Sequence, residues 1–332
     1  MNENNKTLTI SIAAYNAEST IRKALDSLLV PEILDDIEIF VVDDGGKDST
    51  LAIAQEYEKK YPGTVIPSHK ENGGYGSTIN YSVERAKGKY FKQLDGDDWF
   101  IQENFAEFVN TLKNTDADCV LTEVADFRAA TGEQIVKEKF SEVPEGIHKF
   151  EEIKLKNILT MHGTAIKTEI LQKHNIRIIE HAFYSDTELV VLPMPYMNTF
   201  YMWKKPLYVY LTGTEGQSMS ISGIKKHYMD HDKVFWELCD AYKSISGKEK
   251  NKKDLVFRRL KKEAIIHFEF ILRLEISYKH FSEVKKFGQK LRDVVPDVYE
   301  RIYKERRNFR TLFKTGYLSY PIASSRVKKK YK

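Results

Sequence analysis

Over the first 125 residues, short apolar runs alternate with amphipathic stretches, and the loops between them are only a few residues long. That repetition admits little besides β-α-β crossovers feeding one mostly parallel, doubly wound sheet flanked by helices. Strands are predicted at Leu8–Ala14, 37–42, 64–68, 89–94 and 118–124. The first helix would carry Ala17, Ile21, Ala24, Leu25 and Leu28 on one face, with Asn16 as its cap. Further helices are expected from Asp48 through Glu58, over 77–87 and over 101–114, with Gly88 as a left-handed cap. The 37–42 run is almost wholly apolar, as a strand covered on both faces requires.

In such a sheet, ligands collect at the carboxyl ends of the strands. Two acidic clusters lie there: Asp43-Asp44 after the second strand and Asp95-Gly96-Asp97-Asp98 after the fourth. Both are therefore expected on one edge. Three carboxylates within four residues repel one another unless something positive joins them, and oxygen ligands favour Mg²⁺ or Mn²⁺. Such an ion offsets the charge of a departing diphosphate. A plain acidic turn is the alternative. An EF-hand starting at Asp95 is excluded, since Phe100 and Ala106 stand where Gly and Glu belong. The glycine-rich segments lack the Gly-Lys-Ser/Thr ending of a P-loop, and Gly74-Tyr75-Gly76 is followed by Ile79 instead of a third glycine.

Beyond residue 126 the pattern loosens. Residues 128–148 read as a connecting segment, 162–171 as a strand leading into a helix, and 184–192 as a helix start. From Lys225 the chain is mostly helical, with Val256, Leu260, Ala264, Phe268 and Leu272 on one line. Charge divides along the same boundary. Residues 1–220 hold 23 Lys/Arg and 34 Asp/Glu, a net of −11, whereas 221–332 hold 29 and 14, a net of +15. Two units are expected, 1–220 and a basic helical 221–332. The basic part presents either a solvated face or one turned toward an anionic partner. No run reaches the ~20 apolar residues of a membrane span, the first eight residues lack a signal-peptide core, and the two cysteines fit a reducing cytoplasm.

Five segments together resemble the large inverting glycosyltransferase family 2, with its Rossmann-like GT-A fold. They are Ser11-Ile12-Ala13-Ala14-Tyr15-Asn16, Val41 to Thr50, Glu71-Asn72-Gly73-Gly74, Leu94 to Asp98, and Tyr184 to Leu189. The resemblance implies a donor site of Ala14, Tyr15, Asp43, Asp44, Asn72, Gly73, Asp95 and Asp97. Tyr15 and Asp44 would contact the uracil of a UDP-sugar, Asp97 the ribose, and Asp95 the donor sugar. Asp98 would be the main ligand of Mg²⁺ or Mn²⁺, with Asp97 beside it. Asp186 would be the general base on the acceptor hydroxyl, giving in-line displacement and inversion. The sequence departs from the family at Ala14, Gly46 and Ser185, and the last of these leaves Glu188 as an alternative base. The stretch Glu215 to Ser220 resembles the family's donor-covering segment, in which Gln217 and Ser218 would meet phosphate and His227 the metal. His162 and His181 carry no spacing signal and read as structural.

The implied activity is transfer of a hexose or N-acetylhexosamine from a UDP-sugar to a saccharide, lipid-linked or glycoconjugate acceptor, in surface polysaccharide synthesis. A nucleotidyltransferase of related topology would want a basic glycine-rich loop after the first strand, and Ala13-Ala14-Tyr15-Asn16 is not one. A nucleic-acid-binding protein would use the basic half, but leaves the acidic strand ends without a role, so no nucleic acid is expected. In the tail, Phe309, Leu312, Phe313, Tyr317, Leu318 and Tyr320 interleave with Arg310, Lys314 and Arg326. That pattern suits either a core or peripheral contact with an anionic membrane.

Overall fold

The computed structural model describes residues 6–213 and 220–331. Strands β1 (Leu8–Ala14), β2 (Ile37–Asp43), β3 (Val65–His69) and β4 (Tyr90–Asp95) pair in parallel in the order β3-β2-β1-β4. β2 is buried throughout, because helices α1 (Ile21–Leu28), α2 (Thr50–Lys60) and α3 (Tyr75–Arg85) cover the sheet. The register sets Ala14 opposite Asp43 and Ala13 opposite Asp95. The two acidic clusters therefore do share one edge.

The sheet continues through β5 (Trp99–Phe100), β6 (Cys119–Arg128), β7 (Glu133–Lys137), β8 (Gly146–Lys149), β9 (Thr164–Lys167) and β10 (Thr199–Thr212), with α4 (Gln102–Asn114) against it. Its main path runs β3-β2-β1-β4-β9-β6-β10-β5, with β9 antiparallel to both neighbours. The segment 128–148, expected as a connection, instead supplies β7 and β8, which extend the sheet at β6 and β10. The fourteen-residue β10 carries no sequence signal, since Lys204-Lys205-Pro206 interrupts its apolar run. The structure absorbs that interruption as register shifts between Trp203 and Tyr208.

Two local expectations are corrected. Asn16 does not cap α1, which begins at Ile21; it adopts a left-handed backbone (φ 52°), and its Oδ1 accepts from the Lys47 amide. Gly88 is not a left-handed cap either. It is needed because a Cβ there would lie 2.3 Å from the Thr9 backbone nitrogen.

Short helices α5 (Thr168–Lys173) and α6 (Asp186–Val191) precede β10. After it come α7 (Ile221–Ser244), α8 (Lys250–Arg273), α9 (Tyr278–Val294), α10 (Pro296–Glu305), α11 (Arg307–Lys314) and α12 (Tyr320–Lys330). The stripe from Val256 to Leu272 is buried in one apolar core with Phe91, Leu121, Leu189 and Phe200 of the sheet half. The packing is thus continuous across residue 220, where composition and secondary structure change. Side chains of α8 also hold irregular backbone of the first half. Arg258 donates to the Leu155 and Lys156 carbonyls, Arg259 to Leu159 and Lys252 to Met197. In the tail, Phe309, Leu312, Phe313, Tyr317 and Tyr320 are core residues, so only Leu318 of that group is exposed. No helix among the described residues is long and apolar enough to cross a membrane.

One glycine ties the fold to the site. A Cβ at Gly76 would stand 2.1 Å from the Ile179 carbonyl oxygen, so the start of α3 and the segment before α6 approach as closely as backbones can. Gly76→Ala is expected to cost about 1–3 kcal/mol, as overpacking does. Denaturant unfolding of the two proteins checks it; an unchanged midpoint would mean that the segment yields freely.

Candidate active site

The loop after β2 is organised by Asp44. Its carboxylate accepts from the Gly73 amide at 2.9 Å, the Gly74 amide at 2.8 Å and Lys70 Nζ at 2.8 Å. Asn72 Nδ2 donates to the Asp44 carbonyl, and the Asp44 amide donates to the Ala14 carbonyl. The buried carboxylate thus folds the 71–74 loop over the strand ends. Asp43 caps the same turn through the Gly46 amide and meets His69 Nδ1 at 2.7 Å. Tyr15, 57% exposed, stands on the rim beside buried Ala14. Ala14, Tyr15, Asp43, Asp44, Asn72 and Gly73 accordingly form one continuous lip.

Next to this lip, Asp95, Asp98 and His162 bring one ligand atom each to within 4.8 Å of the others. Asp98 is 1% exposed. Its carboxylate accepts from Tyr208 Oη at 2.6 Å and the Leu211 amide at 2.7 Å. Asp95 accepts from Tyr75 Oη at 2.6 Å. Burial first, and then the charges of neighbouring acids (Asp97 and Asp186 for Asp95, Asp95 and Asp97 for Asp98), raise the proton affinity of both well above the carboxylate range. Burial, with the charges of Lys92, Lys139 and Arg259, lowers His162 to about 3 and so keeps its imidazole neutral. The ring sits edge-on to Tyr208 and Tyr210, with centroids 4.9 Å away, and Lys92 Nζ donates to its carbonyl at 2.8 Å. Two crowded acids, whose charged forms are disfavoured until a cation joins them, and a neutral imidazole make a donor set suited to a divalent cation.

Asp186 opens α6 half-buried, and burial raises its pKa. Its charge reaches Asp95, Tyr75 and Tyr210, so it faces the same hollow. Among the described residues, no side chain bonds to its carboxylate. Glu188 is fully buried; its Oε2 accepts from the Ile179 amide at 2.7 Å, and its Oε1 has no partner among the described residues.

Two of the remaining expected residues stand outside the three-ligand cluster. Asp97 is exposed and outside the three-ligand cluster. His227 stacks on Phe183 at 3.6 Å and meets Asp230, not the acidic group. Gln217 and Ser218 lie outside the described residues. Sequence reasoning missed Tyr75, His162, Tyr208, Lys70 and Lys92. Only Tyr75 had a signal, inside the quoted glycine-rich loop; the others are joined to the site by strand pairing that no local pattern reports.

Residues 9–174 match the profile of Glycosyl transferase family 2. The chain is 29% identical over 264 residues to the minor teichoic acid biosynthesis protein GgaB of Bacillus subtilis, covering 75% of this chain and 28% of that one. It is 26% identical over 286 residues to a poly(ribitol-phosphate) beta-glucosyltransferase of Bacillus spizizenii, covering 82% and 42%. The chain therefore spans less than half the length of either relative. Its fold resembles that of S. aureus TarS 1-349 in complex with UDP-GlcNAc, with a TM-score of 0.71 at 19% identity, over 98% of this chain and 91% of that one.

Proposed function

The chain belongs to glycosyltransferase family 2, and from that premise we propose that it moves a hexose or N-acetylhexosamine from a UDP-sugar to a hydroxyl of a polyol-phosphate or glycoconjugate acceptor, with inversion. The observation that carries the reading is the convergence of Asp95, Asp98 and Asp186 on Tyr75 and Tyr210, at the strand edge where Asp44 folds the nucleotide-side loop. The lip from Ala14 to Gly73 would receive the nucleotide. Asp186, free of other duties, would take the proton of the attacking hydroxyl from the face opposite the leaving diphosphate. The TarS complex with UDP-GlcNAc supports a UDP donor, the Bacillus spizizenii relative a polyol-phosphate acceptor, and the Bacillus subtilis relative a place in teichoic acid-type synthesis.

Asp95, Asp98 and His162 fit a divalent cation, and an imidazole among the ligands suits Mn²⁺ better than Mg²⁺. When bound, such an ion would neutralise the diphosphate as it departs. Tyr208 and the Leu211 amide aim the Asp98 carboxylate, while Tyr75 aims that of Asp95.

Thermal unfolding with UDP, GDP or CMP, each with and without Mn²⁺, tests the reading. UDP with Mn²⁺ is expected to stabilise the protein by about 2.7 kcal/mol at a hundred times its Kd, and UDP-sugar turnover should release UDP. Stabilisation by another nucleotide alone would refute the donor assignment.

A further inference from the structure

The segment before α6 holds its shape at a cost. His181 (φ 52°) and Tyr184 (φ 68°) both adopt left-handed backbone, which residues with a Cβ rarely do unless their surroundings hold them there. The surroundings are specific. The His181 amide donates to the Gly73 carbonyl at 2.5 Å, and a Cβ on Gly74 would come within 3.1 Å of that amide nitrogen. On one side Ala182 is buried; on the other, Tyr184 packs against Phe270 and His231 of the helical half. Between these two anchors Phe183 is turned outward, 46% exposed, three residues ahead of Asp186. Its ring does not swing free. It stacks on His227 with centroids 3.6 Å apart and planes inclined by 25°, and His227 is itself fixed by Asp230 at 3.1 Å.

A single exposed apolar side chain is ordinary on a protein surface. An aromatic ring held outward by strained backbone, stacked on a fixed imidazole and carried three residues ahead of Asp186, needs a further reason. Flat aromatic faces take up the C–H side of a sugar or polyol while its hydroxyls stay available to polar groups. We infer that the Phe183–His227 stack is an acceptor platform, on which the C–H face of a polyol or sugar chain rests while one of its hydroxyls meets Asp186. The inference rests on the proposed transfer reaction and adds the surface that positions its second substrate. It also gives α7 a part in acceptor choice, and it makes Phe183 a positioning residue for the acceptor alone.

The test compares wild type, Phe183→Ala and Phe183→Tyr, with UDP-GlcNAc as donor and a ribitol phosphate oligomer or a neutral gluco-oligosaccharide as acceptor. Hydrolysis of the donor by water is measured alongside, because water needs no platform. Phe183→Ala is expected to raise the acceptor KM roughly tenfold, with kcat at saturation and donor hydrolysis unchanged; Phe183→Tyr should restore the KM. Saturation-transfer NMR on the same acceptors, which requires no turnover, should show contacts to their C–H protons in wild type that fade in Phe183→Ala. An unchanged KM, or wild-type protein giving no such contacts with either acceptor, overturns the inference. So does a parallel fall in donor hydrolysis, which would assign the ring to the donor. If wild type turns over no UDP-sugar at all, the proposed reaction itself fails, a distinct result from the others.

Discussion

Exchanging Asp186 for asparagine is expected to lower sugar transfer by about 10²–10⁴-fold, the range over which a positioned general base acts, while UDP binding survives. The amide keeps the size and polarity of the carboxyl but cannot take a proton from the acceptor hydroxyl. UDP would bind through the lip from Ala14 to Gly73, which Asp186 does not build, so the stabilisation it confers should be unaltered in Asp186→Asn. The pH profile adds a second readout. Burial raises the Asp186 pKa, so the protonated, inactive form persists to higher pH than for an ordinary aspartate. Wild-type kcat should therefore climb as pH rises through that displaced value, and the limb should vanish in Asp186→Asn. Glu188 is the weaker choice, because it has no exposed surface and one of its oxygens holds the Ile179 amide. If Glu188→Gln lost the pH limb and Asp186→Asn kept it, the assignment of the base would be reversed.

What the sequence announced, and what it withheld, follows the range of the interactions involved. The β-α-β half was legible because each strand and helix carries its own hydrophobic period, and because Asp43 and Asp95 end their strands in register. The motifs named residues that fold into one lip but not its mechanics. Asp44 reads as a ligand-binding acid, yet both its oxygens are occupied by the 73–74 amides and Lys70, a role visible only once the loop is folded back. His162 looked structural because nothing near it repeats. It reaches the acidic pair through the antiparallel strand β9 inserted between β4 and β6, and through Lys92 beneath it. Tyr208 and Leu211 were hidden with the whole of β10, whose Lys204-Lys205-Pro206 breaks the apolar alternation. The tail left two readings open. Its aromatics alternate with cations as an interfacial segment would, but Phe309 and Phe313 pack against Phe268, and Tyr317 and Tyr320 against α9.

Asp98 and Asp97 are neighbours in sequence with different environments, and replacing each in turn separates a ligand from a surface acid. Asp98→Ala is expected to reduce transfer by about 10²–10³-fold, as loss of a preorganised electrostatic group does, and to remove the response of thermal stability to Mn²⁺. Asp97→Ala should keep that response, since its side chain is exposed and outside the three-ligand group. The apo proteins supply the control. Wild-type Asp98 is a buried acid beside another, and the Tyr208 hydroxyl and the Leu211 amide donate to its carboxylate. Deleting it relieves repulsion on Asp95 while leaving Tyr208 Oη and the Leu211 amide short of an acceptor, so these costs oppose one another. Lost activity in Asp98→Ala should therefore not track lost folding. His162→Gln completes the series: with the imidazole gone and an amide oxygen in its place, the preference for Mn²⁺ over Mg²⁺ should shrink, because only oxygen ligands remain. Should Asp97→Ala abolish the Mn²⁺ response and Asp98→Ala preserve it, the cation would be held at the solvent rim and the buried pair would have some other purpose.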